Sequence, residues 1–303
     1  MDSNTNRSAI FRFYHGAKGW LLIAATLGVS VFPILSNAIV GGVDAPDDRF
    51  PFMTTIQFKD SGATPLERHG CGASLISPTW VLTAAHCVID TEPSDIEVVV
   101  GRTQLSNLHQ GQSVAVKTIV SHPNFAQATV YDIALLQLER AVTAVTPINR
   151  VASAERLEDS EKTVTAAGWG DTALPASSDR LQQASMPRIS DAECTAFNPS
   201  LNPDTSFCIG VLAAGGPFPN NGDSGGPVFI NQPGTGFIQL GVVSQAVVIV
   251  RLSNPEVAQF VNDTVKPDDG WKSNFNLVVA CLMGLVVIIW LTVARSLKRN
   301  RVG

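Results

Sequence analysis

The chain has 303 residues, 45% of them hydrophobic and 16% charged, with a formal net charge of −5. That length holds one large domain or two modest cores. The acidic balance supplies no basic field, so nucleic acid is not an expected partner.

The first distinctive stretch is an apolar run from Trp20 to Leu35, behind a leader carrying Arg7, Arg12 and Lys18. It closes on Ser36-Asn37-Ala38, small residues in the spacing a signal peptidase accepts. Residues 1–38 are therefore expected to be a signal peptide. Pro33 makes the run short for a span, while the long basic leader keeps an uncleaved signal anchor as the alternative.

From Ile39 onward the texture is all-β: short runs rich in Val, Ile, Thr and Phe alternate with Gly, Pro, Asn and Asp. Strands are predicted at Met53–Phe58, Ala73–Ile76, Trp80–Thr83, Ile96–Val100, Ser113–Ser121 and Ile133–Leu138. Thr163–Ala167, Val228–Ile230, Phe237–Val243 and Val247–Leu252 follow. Many short strands at this spacing point to sandwiches or barrels. One helix is predicted, Pro255 to Val265, with Val257, Phe260 and Val261 at helical spacing and Asn254 as its cap.

Three stretches carry chemistry. In Leu82-Thr83-Ala84-Ala85-His86-Cys87 a histidine closes a strand, and in Tyr131-Asp132-Ile133-Ala134 an aspartate opens one. Alone, the first reads as structural and the second as a solvated turn. Gly222-Asp223-Ser224-Gly225-Gly226-Pro227 is a Gly-rich turn presenting a hydroxyl beside backbone N–H groups, a geometry suited to acyl transfer. It needs a base for the serine and an orienter for the base, or it is an ordinary hairpin.

Of five cysteines, Cys281 lies in a second apolar run; Cys71, Cys87, Cys194 and Cys208 form an even set suited to an oxidising compartment. Three pairings are open. Cys71 with Cys87 and Cys194 with Cys208 would close two short loops, each contributing about 3 kcal/mol on the chain-entropy model. A zinc site is disfavoured, because the paired C-x-x-C spacing is absent.

The second apolar run, Leu277 to Ala294, carries no charge and is followed by Arg295, Lys298, Arg299 and Arg301. It is predicted to span a membrane once, with the basic tail (295–303) cytosolic and everything before it translocated. A glycolipid-anchor signal is the alternative, though such signals normally end in their apolar tail.

His86, Asp132 and Ser224, in that order and in these settings, resemble the chymotrypsin–trypsin family of serine proteases. The matching stretches also include Ile39-Val40-Gly41-Gly42, Cys71-Gly72-Ala73-Ser74-Leu75-Ile76, Gly168-Trp169-Gly170 and Val243-Ser244. The resemblance implies an all-β domain over 39–266, two six-stranded antiparallel barrels with the active site between them and a C-terminal helix. A juxtamembrane linker (267–276) and the span (277–294) would follow. It further implies a Ser224 nucleophile, a His86 base and an Asp132 orienter. The Gly222 and Ser224 N–H groups would form the oxyanion hole, and the freed Ile39 α-amino group would pair with Asp223. Ser244 would hydrogen-bond Asp132 and, with Phe218, Gln245 and Ala246, face substrate. Expected partners are protein or peptide substrates and protein inhibitors, with no cofactor and no metal.

The pattern departs in places. Phe218 stands where trypsin-like enzymes carry the acidic pocket floor, and Asn220 where the family has a cysteine. Gln245-Ala246 replaces a Trp-Gly pair, and the following pocket-wall loop is shortened. These changes argue against a Lys/Arg preference. Arg102 falls at the first carboxylate of the family's calcium loop, so calcium is not expected there. Asn262-Asp263-Thr264 is a glycosylation sequon. A protease-like binding or adhesion protein without turnover is the alternative function.

Overall fold

A computed structural model describes residues 39–125, 130–151, 156–171, 177–211 and 216–265. The expected signal segment and linker, the Leu277–Ala294 run, Cys281 and the basic tail lie outside the described residues. Among the described residues no helix is long and apolar enough to cross a membrane.

Twelve of the strands make two closed sheets. The first barrel uses β2 (Met53–Phe58), β3 (His69–Ser77), β4 (Trp80–Thr83), β5 (Ile96–Val100), β6 (Gln112–Ser121) and β7 (Ala134–Leu138). They pair in the order β2-β3-β4-β7-β6-β5, and β5 returns to β2. The second uses β9 (Thr163–Gly168), β10 (Gln182–Ile189), β11 (Ser206–Ile209), β12 (Pro227–Gln232), β13 (Gly236–Gln245) and β14 (Val248–Arg251). Its order is β10-β11-β14-β13-β12-β9, and β9 pairs back with β10. All twelve pair antiparallel. Closure leaves neither sheet with a long free edge. Two short strands add to the second sheet: β1 (Val43–Asp44) on β10, and β8 (Asn149–Arg150) parallel to β13.

The β-branched runs became strands because their side chains fill the barrel interiors; Ile56, Leu75, Val81, Leu82, Val98 and Leu135 are fully buried. Phe50 and Phe52 meet Phe229 of β12 and Phe237 of β13, edge-on at 5.0–5.6 Å between centroids. This aromatic cluster joins the barrels, so residues carried by one are held at fixed distance from those carried by the other.

β10 and β11 were not predicted. β10 reads QQASMPRI, with polar residues and Pro187 inside, a composition that argues against a strand. It forms because β9 pairs along one side of it and β1 and β11 along the other.

The expectation of a single helix is also corrected. Besides α4 (Pro255–Thr264) there are short helices α1 (Pro65–Arg68), α2 (Leu157–Ser160) and α3 (Asp191–Phe197). Reciprocal capping boxes nucleate α1 and α3, through Thr64 with Glu67 and Ser190 with Glu193. In α4 the Asn254 side chain accepts from the Glu256 and Val257 N–H groups, and Val257, Ala258 and Val261 are buried. Cys71 bonds Cys87, and Cys194 bonds Cys208.

Candidate active site

β4 ends at Thr83, and the chain enters a 3₁₀ turn, Ala85–Cys87. Ala85 and Cys87 point inward, and the bridge to Cys71 of β3 fixes the turn, so the His86 ring is left projecting. Asp132 lies just before β7, 2% exposed. Its carboxylate accepts from His86 Nδ1 at 2.6 Å and from the His86 backbone N–H at 2.8 Å. A third donor is the Ser244 hydroxyl at 2.5 Å. Ser244 sits on β13 where the register to β14 shifts between Val243 and Gln245, an irregularity of the kind that re-aims a side chain.

Burial alone would raise the Asp132 carboxyl. The hydrogen bond and charge of His86, the Ser244 hydroxyl and the His86 N–H outweigh it and hold the group below the ordinary carboxylate value. Asp132 therefore stays ionised at neutral pH. With Nδ1 engaged by this carboxylate, the other ring nitrogen, Nε2, lies 3.7 Å from Cys87 Sγ, and among the described residues no hydrogen bond joins the ring to Ser224.

The serine turn packs on the first barrel. The Gly72 N–H donates to the Ser224 carbonyl at 2.8 Å, and Gly225 N–H to Val243 O at 2.7 Å. Gly225 has φ +78°, and a Cβ there would lie 2.1 Å from Thr83 Oγ1 and 3.1 Å from Ala84 N. Only glycine lets the turn come so near the strand end that carries His86. Among the described residues the N–H groups of Gly222 and Ser224 donate to no protein acceptor.

Asp223 is 1% exposed, with its carboxylate accepting the Gly170 and Asn220 N–H groups, each at 2.9 Å. Gly168 and Gly170 flank Trp169 because a Cβ at either would fall 2.1–2.6 Å from Asp223 side-chain atoms. Among the described residues no cation pairs with Asp223. Burial pushes its carboxyl up to about 7, against those two N–H bonds and with a small addition from Asp171. Ile39 is fully buried in the second-barrel core, and Val40 bridges Phe218.

Phe218 packs on a small cluster of Ile189, Cys194, Leu201, Cys208, Val247 and Val248. Gln245 and Ala246 are exposed, and Ala246 takes φ +42° in the tight turn from β13 to β14. Asn220 ties its loop to Asp171 by donating Nδ2 to that carbonyl at 3.2 Å. Arg102 is buried, and its guanidinium donates to the Gln110 and Leu105 carbonyls, placing a side-chain cation inside the loop.

A Trypsin family model matches residues 39–266. The chain belongs to the trypsin family. Among its relatives, a trypsin of Saccharopolyspora erythraea is 34% identical over 64% of this chain and 82% of its own length. Trypsin I-P38 of Gallus gallus is 33% identical over 74% and 88%. Trypsin-1 of Astacus astacus is 32% identical over 72% and 93%. This trypsin-family protein is a serine-type endopeptidase, and its substrates are proteins or peptides.

Sequence reasoning passed over His69, which contacts the serine loop of the protease. Its Nε2 lies 3.1 Å from the Gly222 carbonyl and its Nδ1 2.8 Å from Thr55 Oγ1. No local signal marks it, because both partners are distant in sequence.

Proposed function

We propose that the protease cleaves peptide bonds with Ser224 as nucleophile, His86 as general base and Asp132 as orienter. Ser224 attacks the scissile carbonyl while His86 takes its proton and later delivers one to the leaving amine. Asp132 holds the tautomer and stabilises the imidazolium without taking the proton. The observation that carries this reading is the double hold of Asp132 on His86, through ring and backbone together. The unengaged Gly222 and Ser224 N–H groups would receive the oxyanion. A fluorophosphonate probe tests it: rapid labelling of wild type, lost in Ser224→Ala, is expected. An unlabelled wild type would point to a binding protein without turnover.

Activation follows from the boundary at Ala38–Ile39. Signal cleavage there would free the Ile39 amine directly and leave no propeptide, so no activating protease is needed. The amine would give the buried Asp223 carboxylate the cation it lacks among the described residues. N-terminal sequencing of mature protein should begin at Ile39. A longer, inactive chain would refute this.

The apolar run Leu277–Ala294 and its basic follower support a single-pass tether, with the protease domain outside the cell or in a lumen. The apolar packing around Phe218 supports a preference for small or uncharged residues over Lys and Arg.

A further inference from the structure

The residue before the proposed orienter, Tyr131, has φ +56°, left-handed backbone that a bulky aromatic residue rarely adopts. Such strain persists only where surrounding contacts impose it. The His122 ring stacks on Tyr131 with centroids 4.6 Å apart and planes 6° from parallel. On the backbone, His122 N–H donates to Ile133 O at 2.9 Å and Ile133 N–H to Tyr131 O at 2.8 Å. These bonds bracket Asp132 on both sides.

Helix α4 closes the arrangement from the other face. Phe260 meets the His122 ring edge-on at 4.8 Å. Burial, with the negative Glu256 nearby, pushes the Tyr131 phenol up. The His122 imidazole receives the Asn124 N–H on Nδ1 at 3.2 Å, and the Asn124 side chain donates Nδ2 to the Glu256 carboxylate at 3.3 Å. Glu256 is thereby tied through Asn124 to the segment that carries the stacked His122 ring. Its own backbone is set by the Asn254 cap.

We propose that His122 and Glu256 are positioning residues for Asp132, clamping Tyr131 in left-handed backbone so that the carboxylate faces His86. Helix α4 is thereby coupled to the reaction although it touches no reacting atom. The proposal rests on Asp132 being the orienter.

The test uses the full chain, with kcat and KM measured per folded protein on one peptide substrate. His122→Ala should lower kcat about tenfold, the equivalent of about 1.4 kcal/mol, with KM unchanged. Glu256→Ala should lower it severalfold in the same way. His122→Phe, which keeps a stacking ring, should restore most of the lost turnover. In a Tyr131→Gly background the glycine takes the same φ without strain. There, His122→Ala should cost less than about twofold relative to Tyr131→Gly alone. Wild-type kcat in His122→Ala would overturn the clamp, and so would an equal loss in the glycine background. Asp132→Asn in the same assay separates the two readings: if it kept wild-type turnover, the orienter assignment itself would fall. If it is inactive while His122→Ala is unaffected, the clamp alone is wrong.

Discussion

His69 donates from Nε2 to the carbonyl of Gly222 across 3.1 Å, tying β3 to the serine loop. A carbonyl only accepts, so the proton is on Nε2, and Nδ1 accepts from the Thr55 hydroxyl at 2.8 Å. Burial, against the Gly222 bond, holds His69 down to about 4, so it is neutral at physiological pH. An unfolded histidine titrates near 6.5. The unfolded chain thus binds the extra proton first, and stability should be lost as pH falls from about 6.5 toward about 4. Urea midpoints at pH 7.5, 5.5 and 4.5 measure this. His69→Gln, which keeps a donor toward Gly222, should flatten the slope over that window.

Asp223 sets the opposite slope while Ile39 remains in a peptide bond. Its folded value of about 7 lies above the ordinary carboxylate value, so stability falls as pH rises between the two. A freed Ile39 amine, if it pairs with the carboxylate as proposed, would reverse this. That stabilisation is complete below the amine's unperturbed value of about 7.7–8.0 and is lost above its raised one. Activity should therefore decline reversibly at alkaline pH. Protein acetylated at Ile39 should be less stable than free protein at pH 7, with the gap narrowing at pH 5. Equal urea midpoints at pH 7 would refute the pair.

Ser224→Ala and His86→Ala should each reduce turnover on the order of a millionfold, since residues that act as a unit fail together. The circular dichroism spectrum and thermal midpoint should change little, because both residues sit in turns and neither side chain belongs to a barrel core. A tenth of wild-type turnover in Ser224→Ala would sink the assignment.

Ser244→Ala removes one of three donors to a carboxylate that is 2% exposed. Hydrogen bonds to charged groups contribute about 1.5–3 kcal/mol, so kcat should drop at least about tenfold. The remaining bonds to His86 keep the enzyme measurable, and single-turnover kinetics would place the loss in acylation.

Cleavage profiling on a peptide library should find little turnover after Lys or Arg. Phe218 offers no carboxylate, and its neighbours Val247, Val248 and Ile189 are apolar. A clear basic preference would mean that another acidic side chain reaches the pocket.

Away from the site, Arg251 and Glu158 form an ion pair with side chains 1% and 0% exposed. Arg251→Ala would strand the Glu158 carboxylate and should cost about 3–5 kcal/mol. Replacing both with apolar residues of similar volume should cost less in denaturant titration, the remaining loss coming from the Asp159, Asp191 and Ser206 partners that Arg251 also holds.

Local chemistry was enough to read much of this protein from its sequence. Met53–Phe58, Trp80–Thr83 and Ile96–Val100 are strands with the predicted bounds, because β-branched and aromatic side chains fit a pleated surface. Asn254 before Pro255 marked α4, and the glycines around Ser224 marked the turn. What depended on distant partners was decided only by the tertiary structure. Gln182–Ile189 became a strand by pairing on both sides, against its own composition. His86 meets an aspartate 46 positions away, which in turn meets Ser244 112 positions away, and no window of sequence contains that encounter. The buried, neutral state of His69 and the raised carboxyl of Asp223 likewise arise from desolvation, a property of the enclosing fold and not of the residues themselves.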